Sequence, residues 1–142
     1  DDTCNERLIC SGDTSFIRIW DMRKELFTDY PTQALSCVFS LSTNEGYTVA
    51  GFGDGTIKLF DFRQKNPINF NSQYSLTNLH KHDSIVRKVC LHKPSNVLIT
   101  SSTAGDINLF DIRNKKRLLR SSINNEPINV LDCHPVNELI AA

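Results

Sequence analysis

The sequence has no surplus of either charge. Sixteen Lys and Arg balance 16 Asp and Glu, so the net charge is zero. That removes the general electrostatic drive towards nucleic acid or an anionic membrane, and leaves room only for local patches. No stretch approaches the ~18 apolar residues of a membrane-spanning helix. No leader-like segment opens the chain, and its first residue is Asp1 rather than Met, which reads as an excerpt of a longer protein. The five cysteines (Cys4, Cys10, Cys37, Cys90 and Cys133) include no C-x-x-C pair, and their number is odd. A disulfide framework is therefore not expected; reduced, buried thiols in a cytoplasmic protein are. What is abundant is core-forming material. More than a quarter of the residues are Leu, Ile, Val or Phe, above the ~20% below which chains tend to stay disordered.

The strongest pattern is a repeat. IRIWDMR (17–23), IKLFDFR (57–63) and INLFDIR (107–113) share one order: apolar, polar, aliphatic, aromatic, Asp, apolar, Arg. They are spaced 40 and 50 residues apart. Each follows a short β-rich run and a turn of small residues: RLICSGDTS (7–15), YTVAGFGDG (47–55) and VLITSSTAGD (97–106). A run, a tight turn and another run make a β-hairpin, and Gly53-Asp54-Gly55 can supply the positive φ angles such turns need. Further β-type runs lie upstream, at 34–42, 84–92 and 127–135, and more polar ones downstream, at 24–30 and 116–123. KRLLRSSI (116–123) suits a short helix by composition, but its place in the repeat makes it an edge strand. The unit is thus four antiparallel strands. It predicts a partial unit at 1–31, full units at 33–79 and 84–124, and a partial unit at 127–142, thirteen strands in all.

These residues resemble the WD-repeat β-propeller family, whose blades have four strands and carry G-H and W-D signatures. Trp20-Asp21 is the W-D dipeptide, and Phe60-Asp61 and Phe110-Asp111 are its aromatic variants. Asp54 stands six residues before Phe60, the family's spacing for the turn Asp. Lys81-His82 stands where Gly-His is usual, and His134-Pro135 closes an inner strand in the family manner. The resemblance implies an all-β propeller, here about three and a half blades of a seven-bladed ring. Its departures put the family's His–Ser/Thr–Trp–Asp hydrogen-bond network in doubt in every blade, because Phe60 and Phe110 carry no indole N–H and Ala104 replaces the third turn Asp.

A closer resemblance, to the C-terminal propeller of the raptor family of TOR complex 1 scaffold subunits, rests on PTQALSCVFSLS (31–42), AGFGDGTIKLFDFR (50–63), GDINLFDIR (105–113) and INVLDCHPVNELIA (128–141). It implies a non-catalytic protein-interaction scaffold supporting TOR kinase signalling in nutrient response and growth. Its partners would be the TOR kinase and other subunits of the complex, with no nucleic acid, small-molecule substrate, cofactor or membrane insertion. It also implies a cytoplasmic location, with recruitment to the lysosome or vacuole surface through the full complex.

Sharper chemistries fit poorly. His80, His82, Cys90 and His92 read H-x-H-x₇-C-x-H, a zinc-like spacing, but the repeat accounts for them without a metal and no metal site is expected. G-x-G at 51–55 is not a dinucleotide loop, since Thr56–Asp61 reads as a strand and not a helix. Ser101 and Ser102 lack a nucleophile elbow, and no nucleophile, base and orienting group assemble. Asp21, Asp61 and Asp111 share one turn position, where they are expected to accept backbone N–H bonds. Inner runs such as Cys37-Val38-Phe39 and Val97-Leu98-Ile99 are expected to be covered on both faces. Trp20, Phe60 and Phe110 are expected to pack between blades, each contributing roughly 2–3 kcal/mol if buried. Two docking candidates remain. Arg23, Arg63 and Arg113 form the aromatic-Asp-x-Arg motif by which some WD-repeat substrate receptors engage cullin ubiquitin ligases, although its presence in three successive blades favours Arg bracing its own turn. Lys115, Lys116 and Arg117, with Arg120, form a basic edge that fits an acidic partner or simply protects the edge from aggregation.

Overall fold

The structure, a computed structural model, describes residues 7–44, 47–62, 75–114, 116–123, 125–134, 136 and 140–141. Every regular element among them is a strand. Sheet one contains β1 (Arg7–Cys10), β2 (Phe16–Asp21) and β3 (Leu26–Pro31). Sheet two contains β4 (Val38–Asn44), β5 (Tyr47–Phe52), β6 (Thr56–Asp61) and β7 (Ser75–Lys81). Sheet three contains β8 (Val86–His92), β9 (Val97–Ser102), β10 (Asp106–Asp111) and β11 (Lys116–Ser122). A fourth pair joins β12 (Asp132–Cys133) to β13 (Ile140–Ala141). Strands follow one another in order and pair antiparallel throughout. The architecture is that of β-propeller blades.

The two-residue period of a strand decides which blade each side chain faces. In β6, Ile57 and Leu59 join Val86, Val89, Leu91 and Leu98 of sheet three, whereas Phe60 on the opposite face joins Ile17 of sheet one. In β10, Phe110 turns back to that sheet-two/sheet-three core, while Ile107 packs forward with Ile99 and Leu131. A chain of inter-sheet cores, rather than one central core, is what a blade with two apolar faces requires. Gly51 permits a close approach between sheets two and three. A Cβ there would strike the Val86 side chain.

Hydrogen bonds also cross between sheets. Val89 N–H donates to Ser40 Oγ at 3.1 Å and Leu91 N–H to Ser42 Oγ at 2.9 Å, fastening β8 to β4. The inner strands β4 and β8 carry bulges at matching places, Val38/Ser40 and Val86/Lys88. The first turns Phe39 outward, so this residue is 45% exposed, with its ring against Gly53. The expectation that Cys37-Val38-Phe39 is covered on both faces therefore fails at Phe39, because a bulge changes the phase of the pleat. Leu98 and Ile99, by contrast, are both buried.

Two local expectations also shift. Of the turn Gly53-Asp54-Gly55, only Gly55 adopts a positive φ (85°). Among the described residues of the run 127–135, only Asp132 and Cys133 form strand, paired with β13. Residues 116–122 form a strand, not a helix.

Candidate functional site: blade junctions and the exposed turns

Three backbone hydrogen bonds mark equivalent places where one blade hands over to the next. Thr32 N–H donates to Ser15 C=O (2.8 Å), His82 N–H to Gly55 C=O (2.8 Å) and Ile123 N–H to Gly105 C=O (3.1 Å). Each joins the residue after or near the end of an outer strand to the turn that opens β2, β6 or β10. Thr32, His82 and Ile123 therefore occupy one structural position, and the polar residue second in each repeat motif (Arg18, Lys58, Asn108) occupies another.

The two junctions between adjacent sheets are filled differently. Between sheets one and two, buried Lys58 extends its Nζ to Thr32 C=O at 3.0 Å and Gln33 C=O at 2.6 Å, with the Phe52 ring centroid 5.6 Å away. Burial pulls the Lys58 pKa below its ordinary value, and Asp54 offsets part of that. Between sheets two and three, His82 is 1% exposed. Its Nδ1 lies 2.6 Å from Asp106 Oδ2, and its Nε2 lies 2.9 Å from Thr100 Oγ1. Ser102 Oγ donates to Asp106 Oδ1, and Asn108 Nδ2 lies within 3.4 Å of Asp106 Oδ2. Burial alone would raise the Asp106 carboxyl; the Ser102 hydroxyl and His82 outweigh it and hold the pKa below the ordinary value.

Asp–His–Thr in that order has the connectivity of a nucleophilic relay. It is enclosed here: Asp106, His82 and Thr100 are all buried between sheets. A substrate carbonyl has no approach to Thr100 Oγ1, so the arrangement can fasten two blades but is not placed for acyl transfer.

The structure brings together His82 and the third repeat but not through the expected spacing. Ala104 leaves the usual turn position without a carboxylate, and Asp106, two residues later, supplies one. Asp54, which does occupy the usual position in sheet two, accepts instead from Thr56 N–H (3.0 Å) and Thr56 Oγ1 (2.6 Å) within its own turn. Phe60 and Phe110 are buried at successive junctions. Trp20 is only half-buried. It lies on the face of sheet one opposite Ile17, its ring centroid 5.0 Å from that of Phe27. On the same face the Arg18 guanidinium stacks 4.0 Å from the Phe27 centroid and pairs with Asp29 at 2.7 Å.

The motif aspartates organise their turns. Asp21 Oδ1 accepts the N–H groups of Arg23 and Lys24, both at 3.2 Å. Asp111 Oδ1 accepts those of Arg113 (2.9 Å) and Asn114 (3.3 Å), and Asn114 Nδ2 donates to Oδ2 at 2.6 Å. Arg23 and Arg113 are exposed on equivalent turns. Arg63, the turn following Asp61, and Lys115 lie outside the described residues. Lys116 and Arg117 are exposed along β11 together with Leu118 and Leu119. Arg120 approaches Asp83 (3.5 Å) and Asp106 (4.0 Å). Of the zinc-like spacing, His82 is committed to the junction and His92 Nδ1 to Ser95 Oγ at 2.6 Å.

No family model matches the chain. Among curated proteins it is 31% identical over 133 residues to the Target of rapamycin complex 1 subunit mip1 of Schizosaccharomyces pombe, covering 89% of the chain and 10% of that protein. It is 32% identical over 115 residues to the Regulatory-associated protein of TOR 1 of Arabidopsis thaliana, covering 75% of the chain and 8% of that protein. Among solved structures it matches Chaetomium thermophilum Raptor with a TM-score of 0.80 and 31% identity, over 92% of the chain and 12% of that one. The chain is a raptor-like WD-repeat propeller region. It spans about a tenth of the length of the curated relatives it matches. A match to a chain of the Mitotic Checkpoint Complex, with a TM-score of 0.79 at 16% identity, shows the shared propeller fold alone.

Within this raptor-like region, sequence reasoning missed Thr100, Asp106 and Asn108 as partners of His82, Ser102 as a partner of Asp106, and Lys58 as the filler of the neighbouring junction. One signal was present for Lys58 and Asn108: both are the polar member of an otherwise apolar strand motif that pleating turns inward. For Asp106 the signal was masked by its offset from the expected position.

Proposed function

We propose that the chain is part of a regulatory subunit of TOR complex 1, acting as a non-catalytic protein-binding scaffold that supports TOR kinase signalling in nutrient response and growth. The observation that carries this reading is the similarity to Raptor at 31% identity and a TM-score of 0.80 over 92% of the chain. Its partners are then proteins, among them the TOR kinase. Its place is the cytoplasm, with recruitment to the lysosome or vacuole surface through the assembled complex. A propeller suits this role physically: its turns and rim are exposed on a rigid body. Affinity purification of the full-length protein followed by mass spectrometry tests the proposal. The TOR kinase is expected among the retained proteins. A reproducible set of partners without it overturns the assignment and leaves the propeller unaffected.

A further inference from the structure

Cys90 faces forward from β8 into the third inter-sheet cluster, where it packs with Cys133 of β12. The two sulfurs and a carboxylate oxygen of Asp132 all lie within 4.8 Å of one another. Zinc–thiolate bonds of ~2.3 Å and zinc–carboxylate bonds of about 2.0–2.2 Å place tetrahedral ligand atoms about 3.3–3.8 Å apart. The observed triangle therefore needs at most a modest contraction.

We propose that Cys90, Cys133 and Asp132 bind a thiophilic divalent cation of the zinc class at the seam between β8 and β12. The donors differ in a useful way. The thiols are half-buried, while Asp132 is exposed and gives the ion a route from solvent. Asp132 Oδ1 accepts the Cys133 N–H at 2.9 Å, which orients the carboxylate and leaves Oδ2 to turn towards the sulfurs. Two thiolates and one carboxylate make a three-ligand set, and water completes the fourth position on the exposed side. Binding releases the two thiol protons to solvent and changes no oxidation state. The spacing H-x-H-x₇-C-x-H thus contains one of the ligands, Cys90, but not the other two. A cation here would tie β12 to sheet three, where β12 and β13 pair through only two residues each.

The test uses the full-length protein, kept reduced and stripped with a chelator. Thiol alkylation is then read residue by residue by peptide mass spectrometry, with Zn²⁺ or with chelator. Labelling of Cys90 and Cys133 is expected to fall together by about fivefold or more with Zn²⁺, as coordination removes the free thiolate. The half-buried Cys10 and Cys37 serve as internal references and are expected to be unaffected. Asp132→Asn changes an exposed side chain, and is expected to raise the Zn²⁺ concentration needed for protection by about tenfold or more. Zinc leaving the pair as reactive as in chelator overturns the proposal, as does equal protection of all four cysteines, or a Cys90–Cys133 cross-linked peptide recovered without zinc-dependent protection.

Discussion

His82 Nδ1 lies 2.6 Å from Asp106 Oδ2, and the two residues come from different blades. His82 follows the outer strand of sheet two, and Asp106 opens β10 of sheet three. The pair is closed off from water and satisfied further by Thr100 and Ser102. Removing one member leaves the other buried without its partner, which typically costs about 3–5 kcal/mol. Asp106→Ala in the full-length protein should therefore lower unfolding stability by about 3 kcal/mol or more. Adding His82→Ala should cost less than the sum of the single changes, because both act on one network. Arg120→Ala removes an exposed pair with Asp83 and a long 4.0 Å contact from a half-exposed guanidinium to Asp106, and should cost less than about 1 kcal/mol. Urea unfolding of the parent and the four variants measures all of this.

The same carboxyl carries a pH signature. Its folded pKa is below the ordinary value of 3.8. A depressed carboxyl contributes stability that is complete above the unfolded value and is lost as pH falls through the folded one. Stability should therefore be insensitive to Asp106 above about pH 5, and fall below about pH 4. Asp29 and Asp111 are lowered too, by Arg18 and by Asn114, and bend the curve in the same direction. Asp106→Asn should flatten the acid limb without abolishing it. An unchanged limb in thermal melts between pH 3 and 6 would remove Asp106 as a contributor.

The three motif aromatics hold one position in the repeat, each on the face of its sheet opposite the Ile three residues before it. Phe60 is fully buried and Phe110 is 2% exposed, each against the preceding sheet. Either one changed to Ala should cost about 3–5 kcal/mol. A Phe60→Ala loss under about 1 kcal/mol would take that ring out of the core.

Strand identity, the four-strand unit and the burial of Phe60 and Phe110 follow from a repeated local pattern, and local pattern is what a sequence displays. The partner of His82 does not follow, because Asp106 stands at a different offset from its aromatic than Asp54 does from Phe60. Phe39 could not be seen to face outward, since a bulge leaves no mark in apolar composition. Lys58 is marked in the sequence as the polar member of an apolar motif, but its acceptors, the carbonyls of Thr32 and Gln33, are set by the packing of one blade on the next. Cys90 and Cys133 are 43 residues apart, and the closure of one blade on the next brings them together. The legible part is within blades; the rest is between them.

Glycine placement at the second junction gives a sharp test. Gly55 has φ 85°, and a Cβ there would run into the carbonyl of His82. Gly55→Ala pairs that contact with a left-handed backbone worth roughly 1–2 kcal/mol, so a loss of about 2 kcal/mol or more is expected. Gly12 also sits in a hairpin turn, yet a Cβ there meets nothing within 4 Å. Gly12→Ala should stay within about 0.5 kcal/mol of the parent. Similar losses at both positions would mean that turn flexibility, not the His82 contact, sets the cost.

The exposed motif arginines separate bracing from docking. Asp21 and Asp111 hold their turns through the backbone N–H groups of Arg23 and Arg113, and alanine keeps those N–H groups. Arg23→Ala and Arg113→Ala should therefore change stability by less than about 1 kcal/mol. Asp111→Ala loses the backbone acceptor and the Asn114 amide bond, and should cost about 1 kcal/mol or more. Two measurements on the full-length protein then distinguish the roles: urea unfolding, and the set of proteins retained in a pull-down. If stability holds and a partner disappears, the guanidinium docks to an acidic surface, as charge-assisted pairing allows. If both arginine variants lose stability as Asp111→Ala does, the guanidinium braces its own turn, and the repetition of the motif in successive blades reflects the repeated turn.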